Sequence, residues 1–423
     1  MHLLLAKAAS IDEAGTAAVD LGQTPAEVIA LSFADPDLLG LASAWKRAGP
    51  RCPTMRLANL RDLRHPMSVD VYVESVIEKA RVVIVRLLGG IDYWRYGIEE
   101  VARTCRQNNI ALAAVPGDDR PDTRLAELST ITPGELALVS GWLTEGGPAN
   151  LAELLAWAGD RVGRSQSWCR PQSVPAAGVF DAAKGGMVEL EAAMARLDPA
   201  GPLATIIFYR SLVLASDTAP VTALYRELSA RGVAVLPIFV RSLKDAASSA
   251  VIAKSLAMRR PDVILNLTAF SAAIGPEGGS CLDAADAPVL QVVLAGTSNE
   301  AWVASSRGLS ATDLAMQVVL PETDGRIVTR AISFKGSAPN ELGLEFAPTI
   351  HVPQLDRVAF VAELAAAWAR LARTPAGERR LAIVLSDYPA RGGRAGYAVG
   401  LDAPASVAAI LEDLAADGYA ATV

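Results

Sequence analysis

Glu322, Asp324 and Arg326 stand within five residues of one another in the segment Leu320–Ile327, LPETDGRI. Two carboxylates beside a guanidinium can hold a hydrated cation or take up a proton. The same residues also spell a turn. Asp324–Gly325 is turn chemistry, and Arg326 then does no more than pair a carboxylate. The residues alone leave both readings open. A second group of polar residues falls where apolar runs stop. Tyr209 and Arg210 close one run, Arg241 and Lys244 follow the next, and Asn266 ends a third. Ala295–Trp302, AGTSNEAW, ends a fourth. Side chains at the carboxyl ends of parallel strands are placed to meet a ligand. Tight βα turns have the same composition, and Ser242–Asp245 could serve only to cap the following helix.

Other chemistries find no support. The three histidines, His2, His65 and His351, stand far apart with no HExxH pattern. The four cysteines, Cys52, Cys105, Cys169 and Cys281, form no CxxC pair, so zinc-ligand spacing is absent. RGGRAG (Arg391–Gly396) lacks GxxxxGK[ST], and GGIDYW (Gly89–Trp94) is not GxGxxG. No resident metal site with ligands inside this chain is expected, and no catalytic triad.

The elements that must position these residues alternate between strand and helix. His2–Leu5, Val28–Pro36 with a turn at its end, Thr54–Leu60, Arg81–Gly90 and Ile110–Asp119 running into a turn read as strands, with helices over Asp37–Ala48, Val69–Ala80 and Tyr96–Asn109. Continuous apolar runs that stop at glycine fit strands buried on both faces. A second series begins at Leu203. Its clearest helix is Thr218–Gly232, with Asp217 or Thr218 as N-cap, Pro220 in the first turn and Gly232 just past the end. Strands follow at Val233–Val240, Asp262–Leu267, Val289–Leu294 and Ile327–Gly336, the last carrying Lys335; a long helix then runs to Arg373. The expected fold class is α/β, with successive doubly wound, Rossmann-like parallel sheets. The expected organisation is a head domain over 1–165, a linker over 166–202, a second domain with a cleft over 203–374, and the start of a third over 375–423. In that third unit Leu381–Pro389 reads as a buried strand and Ala405–Tyr419 as an amphipathic helix. One βα unit cannot cover its own apolar faces.

Composition narrows the class. The 423 residues are 51% hydrophobic and 20% charged, ordinary for a globular protein with a large core. A net charge of −7 argues against a nucleic-acid partner. The first ten residues are too short and too soon charged for a secretory signal, and no apolar run approaches the roughly 20 residues of a membrane span. A cytoplasmic protein with free, mostly buried thiols is expected.

Several long segments carry a resemblance. RLANLRDLRHPMSVDVYVE (Arg56–Glu74), VIVRLLGGIDYWRYGIEEV (Val83–Val101), AVPGDDRPD (Ala114–Asp122) and LTEGGPAN (Leu143–Asn150) resemble the amino-terminal part of the large subunit of aerobic cobaltochelatase. The likeness continues through Ile206–Asp245, Pro261–Ser271, Ala287–Trp302, LPETDGRI, ISFKG (Ile332–Gly336) and Leu385–Leu411, in order along essentially the whole chain. The magnesium-chelatase large subunit shares the broad pattern. The resemblance implies a tetrapyrrole-binding subunit that inserts cobalt into hydrogenobyrinic acid a,c-diamide during cobalamin biosynthesis. It implies separate AAA+ partner subunits that hydrolyse ATP, with Mg2+ on their side, in keeping with the missing phosphate loop. It implies that the carboxyl-terminal unit begins a third α/β domain of a longer polypeptide, and that this chain alone is inactive. The glutamate of the family's PExDG motif maps to Glu322, with Asp324 beside it, as acceptor of a pyrrole proton or guide for the metal. Metal insertion needs two pyrrole N–H protons removed and water stripped from the ion, and a carboxylate serves both needs. Rim carboxylates of the macrocycle need cationic partners, for which Arg210, Arg241, Lys244, Arg326 and Lys335 are available, with Tyr209 and Asn266 at the same strand ends. One motif departs from the family: Tyr397 and Ala398 stand where it carries Asn-Gly. A magnesium-chelatase-like subunit, a non-catalytic α/β module for a small ligand, and a scaffold lobe that only contacts the ATPase are the alternatives.

Overall fold

The computed structural model describes residues 17–117, 121–273, 279–340, 343–385, 387–388, 394–396 and 400–421. The expected strand His2–Leu5, the Asp118–Asp119 turn and the Tyr397–Ala398 departure lie outside them. The strands are β1 (Val28–Ser32), β2 (Met55–Asn59), β3 (Val82–Leu87), β4 (Ala111–Pro116), β5 (Ala177–Phe180), β6 (Met187–Val188), β7 (Leu203–Tyr209), β8 (Ala234–Val240), β9 (Val263–Asn266), β10 (Val289–Ser298), β11 (Ile327–Ser337), β12 (Thr349–Pro353), β13 (Asp387–Tyr388) and β14 (Arg394–Ala395). The helices of the first lobe are α1 (Asp35–Ala48), α2 (Pro66–Ser75), α3 (Arg95–Gln107), α4 (Thr123–Leu128), α5 (Pro133–Glu145) and α6 (Gly147–Arg161). Those after it are α7 (Leu190–Met194), α8 (Arg210–Leu214), α9 (Ala219–Ala230), α10 (Ala246–Met258), α11 (Asn299–Ala304), α12 (Ala311–Asp313), α13 (Leu320–Glu322), α14 (Leu355–Arg373) and α15 (Ala403–Ala416).

The first lobe is a four-stranded parallel sheet in the order β2-β1-β3-β4. Every residue of β1, β2 and β3 is buried, as their unbroken apolar runs require. Successive residues feed opposite cores. Ile29, Leu31, Val83 and Val85 pack on α2 and α3, while Val28, Ala30, Val82 and Ile84 pack on α1, α5 and α6. The N-terminus of α5 is fixed by Thr132 and Glu135, whose side chains each accept from the other's backbone N–H.

The second sheet has eight strands in the order β12-β11-β10-β9-β7-β8-β5-β6. Its five central strands are parallel, while β12, β5 and β6 join antiparallel at the edges. Helices α9 and α14 cover one face and α7 and α10 the other. The segment 166–202, expected to be a linker, therefore supplies the last two strands at one side of the sheet and a helix. Strands of four and two residues, paired on few positions, leave little pattern in a sequence.

A second difference lies near the end of the described chain. Leu381–Leu385 forms no strand and is exposed, with Val384 at 89%. Its apolar run looks like a buried strand, yet no sheet among the described residues receives it. Helix α15 forms as expected, capped by Asp402, but buries only Ala403.

The lobes are tied by an arm. After β11 the chain leaves the second sheet, and Leu344 inserts fully buried into the first lobe's core beneath Trp45. A Cβ on Gly343 would come within 2.3 Å of Trp45, so the approach demands glycine. Arg56 donates to the Gly343 carbonyl and pairs with Glu345 at 3.0 Å, and Glu345 accepts from the Thr24 N–H.

Candidate functional site

The carboxyl ends of the two parallel sheets meet across a cleft of about 270 Å3. The first lobe contributes Asp37, Arg86, Gly117, Leu143 and the Gly146–Gly147 turn; the second contributes Tyr209, Arg210, Ser211 and Arg241. Gly146 and Gly147 have φ of 63° and 80°, which lets α5 turn directly into α6 at the cleft wall. In both lobes the first and third strands of the series lie side by side, and the second lobe lines the cleft from the adjacent ends of β7 and β8.

Two of the cleft's three guanidiniums are already satisfied. Arg86 donates to Asp37 at 2.7 Å and to the carbonyls of Leu143 and Gly117. Arg210 spans the lobes, donating to the carbonyls of Pro175, Val174 and Glu145 and pairing with the Glu145 carboxylate at 3.4 Å. Burial lowers its pKa, Glu145 opposes that, and Arg241 adds to it. Arg241 is exposed and makes no hydrogen bond or ion pair with any described residue. Lys244, three residues on, is exposed as well, and Asp245 beside it caps α10 through the Ser248 N–H. The capping alternative for Ser242–Asp245 is thus realised.

The other expected residues divide between a buried network and the surface. Tyr209 Oη donates to the Ala269 carbonyl and accepts from the Ala269 N–H. Asn266 is fully buried and donates to Gln291 at 2.7 Å and to the Thr268 carbonyl. Gln291 Oε1 also accepts from Arg326, and Arg326 pairs with Asp324 at 2.8 Å. Asp324 accepts from Ser271 Oγ and the Ala272 N–H, pinning the segment after β9. Asn266, Asp324 and Arg326 are therefore internally bonded and sealed from the cleft. Burial lowers the Arg326 pKa against the opposing Asp324 charge. Gln291 was not anticipated, although one polar residue inside VLQVVL is a legible sign of a buried hydrogen-bonding role.

Glu322 goes elsewhere. It ends α13, the last turn of a helical stretch that includes a π-helix over Leu314–Val319, and not a loop after an apolar run as expected. Its side chain is exposed, makes no hydrogen bond to a described residue and does not line the cleft.

A third cluster sits between the lobes. Asp217 does not cap α9; it accepts from the His351 N–H at 3.0 Å and faces Lys335 at 3.8 Å. Burial raises the Asp217 pKa, with Lys335 opposing, and lowers that of Lys335, with Asp217 and then Asp35 of the first lobe opposing. Asp35 is held by Asn59 at 2.9 Å and by Arg61 at 3.6 Å. His351 is buried beside Ser333, and its pKa is pushed well below the usual histidine value by burial and then by Lys335. Asp35, Asp217 and His351 carry no motif; only their folding against one another reveals them.

Among the described residues no three His, Cys, Asp or Glu side chains converge as a metal site. No described helix is long and apolar enough to cross a membrane. The thiols are less uniformly buried than expected: Cys105 is buried, with burial pushing its pKa up to about 12, whereas Cys169 is exposed.

The architecture is mixed α/β, with two lobes whose parallel sheets turn their carboxyl ends toward one cleft. The chain belongs to the CobN/Magnesium Chelatase family, whose profile matches residues 140–423. It is 40% identical to the aerobic cobaltochelatase subunit CobN of Sinorhizobium sp, over 99% of this chain and 34% of the relative. It is 30% identical to the chloroplastic magnesium-chelatase subunit ChlH of Oryza sativa subsp. indica, over 52% of this chain and 16% of the relative. The catalytic subunit of cobaltochelatase from Mycobacterium tuberculosis superposes with a TM-score of 0.70 at 29% identity, covering 93% of this chain and 31% of that one. The chain thus spans about a third of the length of the cobaltochelatase relatives it matches.

Proposed function

We propose that this chain serves as part of the large, tetrapyrrole-binding subunit of an ATP-dependent cobaltochelatase of cobalamin biosynthesis, working in the cytoplasm. The substrates are cobalt and hydrogenobyrinic acid a,c-diamide, and AAA+ partner subunits bind and hydrolyse ATP with Mg2+. The observation that carries the reading is 40% identity across 99% of the chain to a protein named as such a subunit. The two-lobed cleft agrees with it by offering a crevice with a cationic wall. Two doubly wound lobes divided near residues 165 and 203 belong to the same reading, with 166–202 serving the second lobe. Glu322 is exposed, as a proton acceptor that meets its substrate at a surface shared with other parts of the enzyme must be.

The test is a titration of hydrogenobyrinic acid a,c-diamide into the chain, followed through the visible absorbance of the corrin. A saturable spectral shift is expected. No shift at protein concentrations of about 100 μM removes a binding role for this part of the subunit.

The cleft volume favours a second reading, a non-catalytic module for a small anion. About 270 Å3 lies below the roughly 300–1,000 Å3 of pockets that enclose a whole drug-sized ligand.

A further inference from the structure

The cleft is lined by three guanidiniums, Arg86, Arg210 and Arg241, with Asp37 as the acid among its lining residues. Glu145 stands behind Arg210, and Asp245 interacts with Arg241 electrostatically without an ion pair. The guanidinium left without a hydrogen-bonded partner among the described residues is Arg241. Its position follows from strand register: Tyr209 is paired with Val240 across β7 and β8, so Arg210 and Arg241 each begin the next residue at adjacent strand ends. Parallel neighbours lie about 4.8 Å apart, which brings two guanidiniums to one edge of the cleft. Arg210 is locked by four acceptors. Arg241 retains its full set of donors, which form a planar fork suited to an oxyanion.

We propose that this cleft takes a single carboxylate arm of a larger ligand, received by the Arg241 guanidinium in a two-bond fork. The volume admits an arm and not a macrocycle. One open guanidinium fork matches a carboxylate monoanion, whereas a phosphate dianion would meet the negative charges of Asp37 and Asp245. Arg86 and Arg210 act as positioning residues that hold the lobes in register around the arm. The proposal rests on the tetrapyrrole reading only for the identity of the rest of the ligand.

The test uses propionate and inorganic phosphate as probes of the whole 423-residue chain, with binding read by ligand-observed NMR. Propionate should bind saturably at millimolar concentration, and Arg241→Gln should weaken it about tenfold or more. Arg241 is exposed, so the variant should melt at the wild-type temperature. Lys184→Gln, exposed on the turn between β5 and β6 and outside the cleft lining, should bind as wild type. No saturable propionate binding up to about 50 mM overturns the proposal, as does equal binding by Arg241→Gln. Phosphate binding tighter than propionate overturns the carboxylate assignment. Displacement of propionate by hydrogenobyrinic acid a,c-diamide supports both readings together. Propionate that depends on Arg241 but is not displaced by the corrin keeps the carboxylate site and removes the tetrapyrrole reading.

Discussion

Asp324 and Arg326 form an ion pair at 2.8 Å with their side chains 5% and 3% exposed, while Glu322, two residues earlier, faces solvent. A run that reads as one acidic site is therefore divided between interior and surface. Asp324→Asn keeps the shape of the side chain and removes its charge, leaving Arg326 buried without a counter-ion. The expected loss is about 3–5 kcal/mol, read as a fall in the urea midpoint. Asp324→Asn with Arg326→Met should recover most of it, because neither charge is then stranded. A single variant as stable as wild type would contradict the sealed pair.

Glu322→Gln should behave in the opposite way. Its exposed side chain has no partner among the described residues, so chain stability should change by less than about 0.5 kcal/mol. In the complete enzyme, cobalt insertion should fall at least about tenfold, since the amide cannot accept a pyrrole proton. Turnover near the wild-type rate takes Glu322 out of the mechanism.

His351 makes stability pH-dependent. Burial, then Lys335, holds its pKa well below the usual value, so the folded state keeps it neutral while the unfolded chain takes a proton below about pH 6.5. The unfolded state binds more protons there. The stabilisation is complete above pH 6.5 and declines as pH falls toward the depressed folded value, by up to about 1.4 kcal/mol per pH unit. Subtracting the profile of His351→Gln from wild type between about pH 5 and 7 should isolate that slope. Parallel profiles would show that His351 does not titrate on unfolding.

Leu344→Ala removes a fully buried side chain that belongs by sequence to one lobe and by packing to the other. The expected cost is about 2–5 kcal/mol, visible in denaturant melts. A change below about 0.5 kcal/mol would mean that the arm is not seated in solution.

Much of the sheet framework is legible because strands buried on both faces need unbroken apolar runs. Val82–Leu87, Leu203–Phe208 and Val235–Val240 are examples, and the ends of the last two place Tyr209, Arg210 and Arg241 at the cleft. What stays hidden depends on phase and distance. Glu322 and Asp324 share a motif, but a helix end and a turn fall between them and rotate one outward and the other inward. Leu381–Leu385 shows that an apolar run reports a wish to be covered, not the presence of a cover. The arm could not be read at all. Gln23 donates to the carbonyl of Glu345 across 322 positions of sequence, and no local pattern encodes such a contact.

That arm also governs how the molecule comes apart. Because Leu344 completes the hydrophobic interior of the first lobe, the second lobe cannot swing away without opening a void in its neighbour. Melting of either half therefore strips support from the other, and the two should denature as one cooperative unit, not as independent beads. The gap between them should then keep its width whether or not it holds a ligand.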